Sequence, residues 1–433
     1  MRVKGILKNI RGFVPDIPYI EEEVEDVEFS MEADENESVV TKDTSGKLKI
    51  LHANPLREDK FSAFIDGTYR IAKIGYFYGV PIYVSNITAA LLTRDQNGYL
   101  HDFGPIRNLF VVLYPFESMY QYAKLIKGDI KMAEEVLRFK ELFKENYEAK
   151  EDYEIRRNTL NVLLEHESLN VWILGDISYL GLDRKNREEG NLDIEPNEVF
   201  NISKISQKAR ARTRVLMGIL EATYLRAYRE RYGNDEWVLM DGTLNYAYKF
   251  SLDKKNESEK FEKYFKKTVG FVKTIRRRVF ATDVTKFSQL LSMGEGEYII
   301  TLGIKNDTEE LELRELGENI QIGRAKWGFV YLRFRFPRHL LPGKEVFGIY
   351  TPKGIIKAQF YIPRSKAFDN EIAINYALDT GMKIADMIFY ERFPFPSDKR
   401  RLWNETLAIE ETEKVAKSRL MSKEYLEHLG QVL

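Results

Sequence analysis

Residues 62–70 read SAFIDGTYR and residues 237–245 read WVLMDGTLN: two apolar runs, far apart in the chain, that both arrive at Asp-Gly-Thr. A single Asp-Gly at the end of a strand is ordinarily a turn, in which the carboxylate caps backbone N–H groups and the glycine takes the strained dihedral. A pair raises a second expectation. If the two strands are neighbours in one sheet, Asp66 and Asp241 converge, and carboxylates held a few ångströms apart repel unless a divalent cation joins them. Side chains at 216, 219, 220, 223 and 227, apolar but for Thr223, predict a helix over 203–232, stopped by Gly233-Asn234 and leading straight into the second run. Glu221 lies on that helix among apolar neighbours, where a carboxylate needs a partner. Arg214 or Arg229 would satisfy it in the ordinary way. A helix that turns back at Gly233 can also pack Glu221 against the sheet carrying both aspartates, as their third acid.

Outward from this pair, the first 55 residues hold the acidic stretch EEEVEDVEFSMEADENE and the turn-rich KDTSGK, and read as an N-terminal extension to a domain covering 56–433. KFSAFID predicts a strand, and after the turn come the β-branched and aromatic segments through 115, read as a meander of strands. Helical spacing with dense charge over about 117–168 predicts a pair of helices, an insertion spanning about 115–200. NVWILGD adds an apolar run ending at Asp176. Beyond the second Asp-Gly-Thr, strands are expected at TVGFVKTI, EYIITLGI, GFVYLRFRF and IIKAQFYI, short helices at ESEKFEKYFKK and TKFSQLLSM, and a helical close from about 399. The class is α/β: a mixed sheet flanked by helices.

With 433 residues and 44% hydrophobic composition the chain can bury a large core. No run of about 18 apolar residues occurs, and the N-terminal MRVKGILKNIRGF has no apolar signal core, so the cytoplasm is the expected compartment and no membrane the expected setting. The absence of cysteine removes disulfides, thiolate zinc sites and cysteine nucleophiles together. Charged residues make up 31%, with Lys and Glu leading, a composition that fits a thermophile's surface. The net charge of -1 excludes a uniformly basic nucleic-acid binder, so such a role would rest on local clusters. KISQKARARTR, KYFKKTVGFVKTIRRR and SDKRR are such clusters.

Three carboxylates without cysteine favour hard, oxygen-preferring ions, manganese or magnesium. Two such ions about 4 Å apart suit phosphodiester hydrolysis. Lys273, on the expected strand TVGFVKTI, is placed to contact the scissile phosphate, and Arg210, Arg212, Arg214, Arg276, Arg277 and Arg278 to hold flanking phosphates.

The ordered series FIDGTYR, RARTRVLMGILEA, WVLMDGTL, TVGFVKTI and RFPFPSDKRRLWNETLAIEE resembles the NurA nuclease family, in short islands from about residue 60 to 420. The resemblance implies an RNase H-like core and a manganese-dependent DNA nuclease, 5′-to-3′ exonuclease and single-strand endonuclease. It further implies a homodimer working with a HerA-like hexameric helicase on single strands and duplex ends during double-strand break resection. The family's acidic triad falls on Asp66, Glu221 and Asp241, and its lysine on Lys273. The sequence departs from the family near its end, where FPFPSDKRRLWNE lacks the metal-binding histidine; Glu405 or Asn404 is the expected replacement.

Other readings compete. Paired Asp-Gly-Thr turns also occur in actin-like kinases and ATPases, although no glycine-rich phosphate loop accompanies them here. A non-catalytic scaffold that clamps DNA would need only the basic clusters. Asp379-Thr380-Gly381 is the tripeptide of pepsin-like proteases, but it occurs once and inside a helical pattern. In VYLRFRF, Tyr331, Phe334 and Phe336 alternate with Arg333 and Arg335, read as a core strand with its charges outward.

Overall fold

The computed structural model describes residues 36–41, 49–54, 59–104, 108–147, 149–151, 170–178, 200–244, 264–273, 284–304, 326–334, 354–367, 370–392 and 406–432. Its strands are β1 (Asn36–Val39), β2 (Leu51–His52), β3 (Phe61–Phe77), β4 (Val80–Arg94), β5 (Leu100–Asp102), β6 (Asn108–Tyr114), β7 (Lys150–Glu151), β8 (Asn170–Asp176), β9 (Trp237–Asp241), β10 (Thr268–Val272), β11 (Glu297–Ile304), β12 (Lys326–Arg333) and β13 (Ile355–Ile362). Its helices are α1 (Phe116–Gln121), α2 (Ile130–Tyr147), α3 (Ile202–Tyr232), α4 (Val284–Ser292), α5 (Arg364–Ala367), α6 (Asn370–Glu391), α7 (Leu407–Lys417) and α8 (Lys423–Val432). All the strands join one mixed sheet in the order β1-β11-β12-β13-β10-β9-β3-β4-β6-β8-β7, with β2 on β11 and β5 on β4. The class is α/β, as the pattern of runs predicts.

The first Asp-Gly-Thr is not a turn. β3 runs unbroken through Asp66, Gly67 and Thr68, all of which stay in register with Ala90, Ala89 and Thr88 of β4. The reversal comes later, at Tyr78-Gly79, whose φ values of 49° and 75° make the tight two-residue loop that suits the right-handed twist of a hairpin. The second Asp-Gly-Thr does turn, with Gly242 at φ 79°.

The sheet carries a core on each face. On one, α3 and the helices α1 and α2 cover Ala63, Ile65, Met240 and the inner residues of β4 and β6. On the other, α6 and α7 cover Phe64, Leu239, Phe271 and the inner residues of β11–β13. α3 starts at an Asn201 cap whose side chain accepts from Lys204 N at 3.1 Å, and ends at Gly233. Its stripe Leu216, Ile219, Leu220 and Thr223 is buried, as the spacing requires. Arg229 locks its last turn to the sheet: 3% exposed, it donates to the carbonyls of Tyr264, Glu236, Lys266 and Lys267 and to Thr268 Oγ1. It is thereby spoken for, and is no partner for Glu221.

In the insertion, α1 and α2 are helical as expected, but Lys150–Glu151 is a strand rather than helix, and the remainder of the expected helical span to 168 lies outside the described residues. The apolar run ending at Asp176 is β8, parallel to β6. At the far border β1 and β2, from within the N-terminal 55 residues, pair antiparallel with β11. No helix among the described residues is long and apolar enough to cross a membrane.

Candidate active site

β9 runs parallel to both β3 and β10, with Ile65–Met240, Gly270–Met240 and Phe271–Asp241 as register partners. Asp66 follows Ile65 and Asp241 follows Met240, so the aspartates stand side by side on adjacent strands, one residue past the end of the β3–β9 pairing. This is the adjacency the repeated motif needs for a shared site. It lies at the carboxyl end of β9, the end of parallel strands where open α/β sheets bind their ligands. Alternation of side chains puts both aspartates on the face of Phe64 and Leu239. Lys273, two residues after Phe271, points the same way, and its Nζ lies 3.3 Å from Asp241 Oδ1.

Glu221 arrives from the opposite face. Its carboxylate accepts the Gly67 N–H, a donor just beyond the last β3–β9 pair. Gly67 is glycine for lack of room: a Cβ there would collide with the Glu221 carboxylate and come within 2.7 Å of Met217 Cγ. The two glycines of the repeated motif thus serve different needs, close approach at Gly67 and positive φ at Gly242.

The electrostatics mark a strained cluster. Asp66 is 2% exposed and Glu221 7%. Burial, and then the charge of Asp241, holds the Asp66 carboxyl well above its usual range, Glu221 and Glu413 adding to the effect and Lys273 opposing it. Burial and then Asp241 likewise raise Glu221 well above its usual value, against the Gly67 hydrogen bond and Lys273. Asp66 Oδ2 and Asp241 Oδ1 are buried without a hydrogen-bond partner; Lys273 is close enough to Asp241 to offset its charge, but not aligned to bond that oxygen. Lys273 faces two buried carboxylates and the half-buried Asp241.

Glu413 escaped the sequence reading. It projects from α7, which packs on β3 and β4, and its charge reaches Asp66 while its carboxylate pairs with Lys417 at 2.5 Å. The signal was present: Ile409, Glu413 and Ala416 share one helical face, and Ile409 and Ala416 are wholly buried. Glu405 and Asn404 lie outside the described residues, as do Arg276, Arg277 and Arg278. Arg210 and Arg214 are half-buried on α3. Arg214 Nε donates to Tyr69 Oη at 3.2 Å, and Arg210 lies near enough to Tyr83 on β4 to influence its phenol. Arg212 is different. It is 5% exposed on the inward side of α3 and cannot meet a phosphate.

Arg333 also overturns its expectation. It is fully buried rather than outward, its Nη2 donating to Leu291 O at 2.6 Å, and desolvation lowers its pKa to about 10. Tyr331 and Phe334 are core residues; Arg335 and Phe336 lie outside the described residues. Asp379-Thr380-Gly381 sits within α6, Gly381 against Ile300, an arrangement without the paired loops of an aspartic protease.

Among the described residues no three His, Asp or Glu side chains are spaced as a ready-made cation cage. The donor set nevertheless suits a hard divalent ion: oxygen atoms only, two of them buried and unsatisfied, in a cluster whose charges repel. Asp66, Asp241 and Glu221 would hold it, with Glu413 within electrostatic reach. No family model matches this chain, and no curated protein matches its sequence.

Proposed function

We propose that the chain is a manganese- or magnesium-dependent DNA nuclease of the NurA type, built on an RNase H-like arrangement of its central strands. The observation that carries this reading is the meeting of Asp66, Asp241 and Glu221, with Lys273, at the carboxyl end of β9, with two carboxylate oxygens buried and unsatisfied. A divalent ion bound there supplies the Lewis acid that lowers the barrier to phosphodiester hydrolysis. The chain's own groups do the rest. Lys273, 22% exposed at its side chain, offers an ammonium to a phosphate oxygen beside Asp241. Glu221, held by the Gly67 N–H, stays within electrostatic reach of both aspartates. Burial of Asp66 excludes competing water from one side of the cluster.

Arg210, Arg214, Met217 and Glu221 follow one line along α3, spaced by three or four residues. At 1.5 Å per residue the line puts Arg214 about 10 Å and Arg210 about 16 Å from Glu221 along the axis. Such a row suits a nucleic-acid backbone led away from the acidic cluster. The resemblance to the NurA family adds 5′-to-3′ polarity, single-strand endonuclease activity, a homodimer and a HerA-type helicase partner, acting in the cytoplasm on double-strand break ends.

The test is cleavage of linear single-stranded DNA with manganese. Wild type is expected to degrade it, and Asp66→Ala and Asp241→Ala to lose at least about 100-fold in rate while remaining folded. Full activity in either variant overturns the site assignment. ATP turnover with no cleavage would favour the actin-like alternative, and DNA binding without cleavage in any metal the scaffold.

A further inference from the structure

Asp241 is the last residue of β9, so strand pairing ends with it and the turn beyond is held in another way. Gly242, at φ 79°, donates its N–H to Phe271 O at 2.9 Å. The chain then folds back over β10 at Gly270, whose missing side chain makes the room: a Cβ there would lie 2.7 Å from Gly242 O, 3.0 Å from Leu244 Cγ and 3.1 Å from Leu244 N. Directly across from Gly270 in the β10–β13 register stands Gln359. Its Oε1 accepts the Leu244 N–H at 2.9 Å, and the residue is 1% exposed. A buried amide side chain is costly unless its polar atoms are bonded, and the oxygen of this one is committed to the turn.

We infer that Gln359 is a positioning residue for Asp241, its side-chain carbonyl fixing the turn that aims the carboxylate toward Asp66 and Glu221. The inference rests on the proposed reading of Asp241 as a cation ligand. Three strands cooperate in it: β9 supplies the acid, β10 the bare glycine over which the turn closes, and β13 the amide that fastens it. Without the acceptor, Leu244 loses its buried partner and Asp241 can rotate away from its neighbours. The cost then falls on the geometry of ion binding rather than on contact with DNA, because Gln359 lies below the turn and out of reach of a substrate. Residues that orient a metal ligand without touching the metal change affinity by about 10- to 100-fold when lost.

The experiment is calorimetric titration of the full chain with manganese alone, accompanied by steady-state cleavage of single-stranded DNA. Gln359→Met keeps the length and removes the acceptor; Gln359→Glu keeps the acceptor. The expected results are manganese affinity weakened about 10-fold or more in Gln359→Met, a fall in kcat with KM for DNA unchanged, and recovery toward wild type in Gln359→Glu. If Gln359→Met does not fold, Gln359→Asn, which withdraws the carbonyl by one methylene, takes its place. A folded Gln359→Met with wild-type manganese affinity overturns the inference, and so does a Gln359→Glu no better than Gln359→Met. Asp241→Asn is the control that separates the two levels. If wild type binds manganese and Asp241→Asn does not, failure of the Gln359 variants counts against the positioning role alone; if wild type does not bind manganese, the reading of the site falls and this inference with it.

Discussion

Replacing Asp66 with asparagine should stabilise the protein in the absence of metal. Asp66 is 2% exposed, one of its oxygens has no hydrogen-bond partner, and three carboxylates act on it against a single lysine. At an effective dielectric of about 20, a like charge at roughly 7 Å costs about 2 kcal/mol. The lysine cancels one such repulsion and protonation within the cluster relieves part of the remainder, so a gain of about 2 kcal/mol is expected for the neutral isostere. With an unfolding entropy of about 2.1 cal/mol/K per residue, the midpoint should rise by roughly 2 °C in a scan with chelator present.

The sign of the pH dependence comes from the raised carboxyl. The penalty on wild type is full where Asp66 would be ionised, above its raised folded value. It disappears as pH falls through that value toward the usual 3.8 of an aspartate. The advantage of Asp66→Asn should therefore be greatest at neutral pH and vanish in acid. Manganese should reverse the ranking, because an ion at about 100 times its Kd stabilises the native state by about 2.7 kcal/mol and the variant lacks a ligand for it. An Asp66→Asn protein less stable than wild type in chelator, at neutral pH, would refute the reasoning: the carboxylate would then have a favourable partner and the cluster no uncompensated charge.

The glycines of the two motifs should fail differently. Gly67→Ala drives a methyl into Glu221 and Met217 and should cost about 1–3 kcal/mol by denaturant titration while displacing the acid and abolishing manganese binding; Gly242→Ala meets no obstacle and should cost about 1 kcal/mol for its positive φ. Arg229→Met removes the buried guanidinium that bonds the carbonyls of Tyr264, Glu236, Lys266 and Lys267 and should cost about 3 kcal/mol in the same titration. Arg94 and Glu391 form a two-pronged pair, Nη2 to Oε2 at 2.8 Å, with side chains 15% and 5% exposed. Arg94→Met alone should cost about 3–5 kcal/mol, and adding Glu391→Leu should recover most of that in a double-mutant cycle.

What could be read from the chain was whatever depends on period. The α3 stripe, the apolar runs of β3, β4, β6, β8 and β9, and the strands of the C-terminal half obey local alternation or helical spacing, and the structure places them where the pattern does. The adjacency of Asp66 and Asp241 was legible only as a condition, since pairing of distant strands is a tertiary choice. Gly67 was misread because glycine has two uses, and a turn is the commoner one; only the docking of α3 shows that the second applies. Arg333 and Arg212 were misread for a related reason. A long cation on a half-apolar element is ordinarily outward, and it turns inward only where a carbonyl or another partner waits, which in Arg333 is Leu291 O. Glu413 went unnoticed because Glu410 and Glu411 stand just before it, and the group reads as one charged surface unless the residue on the buried line is picked out.

The pairing of β1 with β11 has a bearing on how the molecule keeps its sheet to itself. Val40 N donates to Ile300 O at 3.0 Å and Ile300 N to Thr41 Oγ1 at 3.2 Å, so the segment from residue 36 to 41 occupies hydrogen-bonding groups of β11 that would otherwise face outward. A border drawn at residue 55 would cut this strip away. The bared β11, apolar and eight residues long, would then offer a template on which another chain could add a strand. A protein trimmed there would be prone to stick to its own copies through that edge, whatever became of its chemistry.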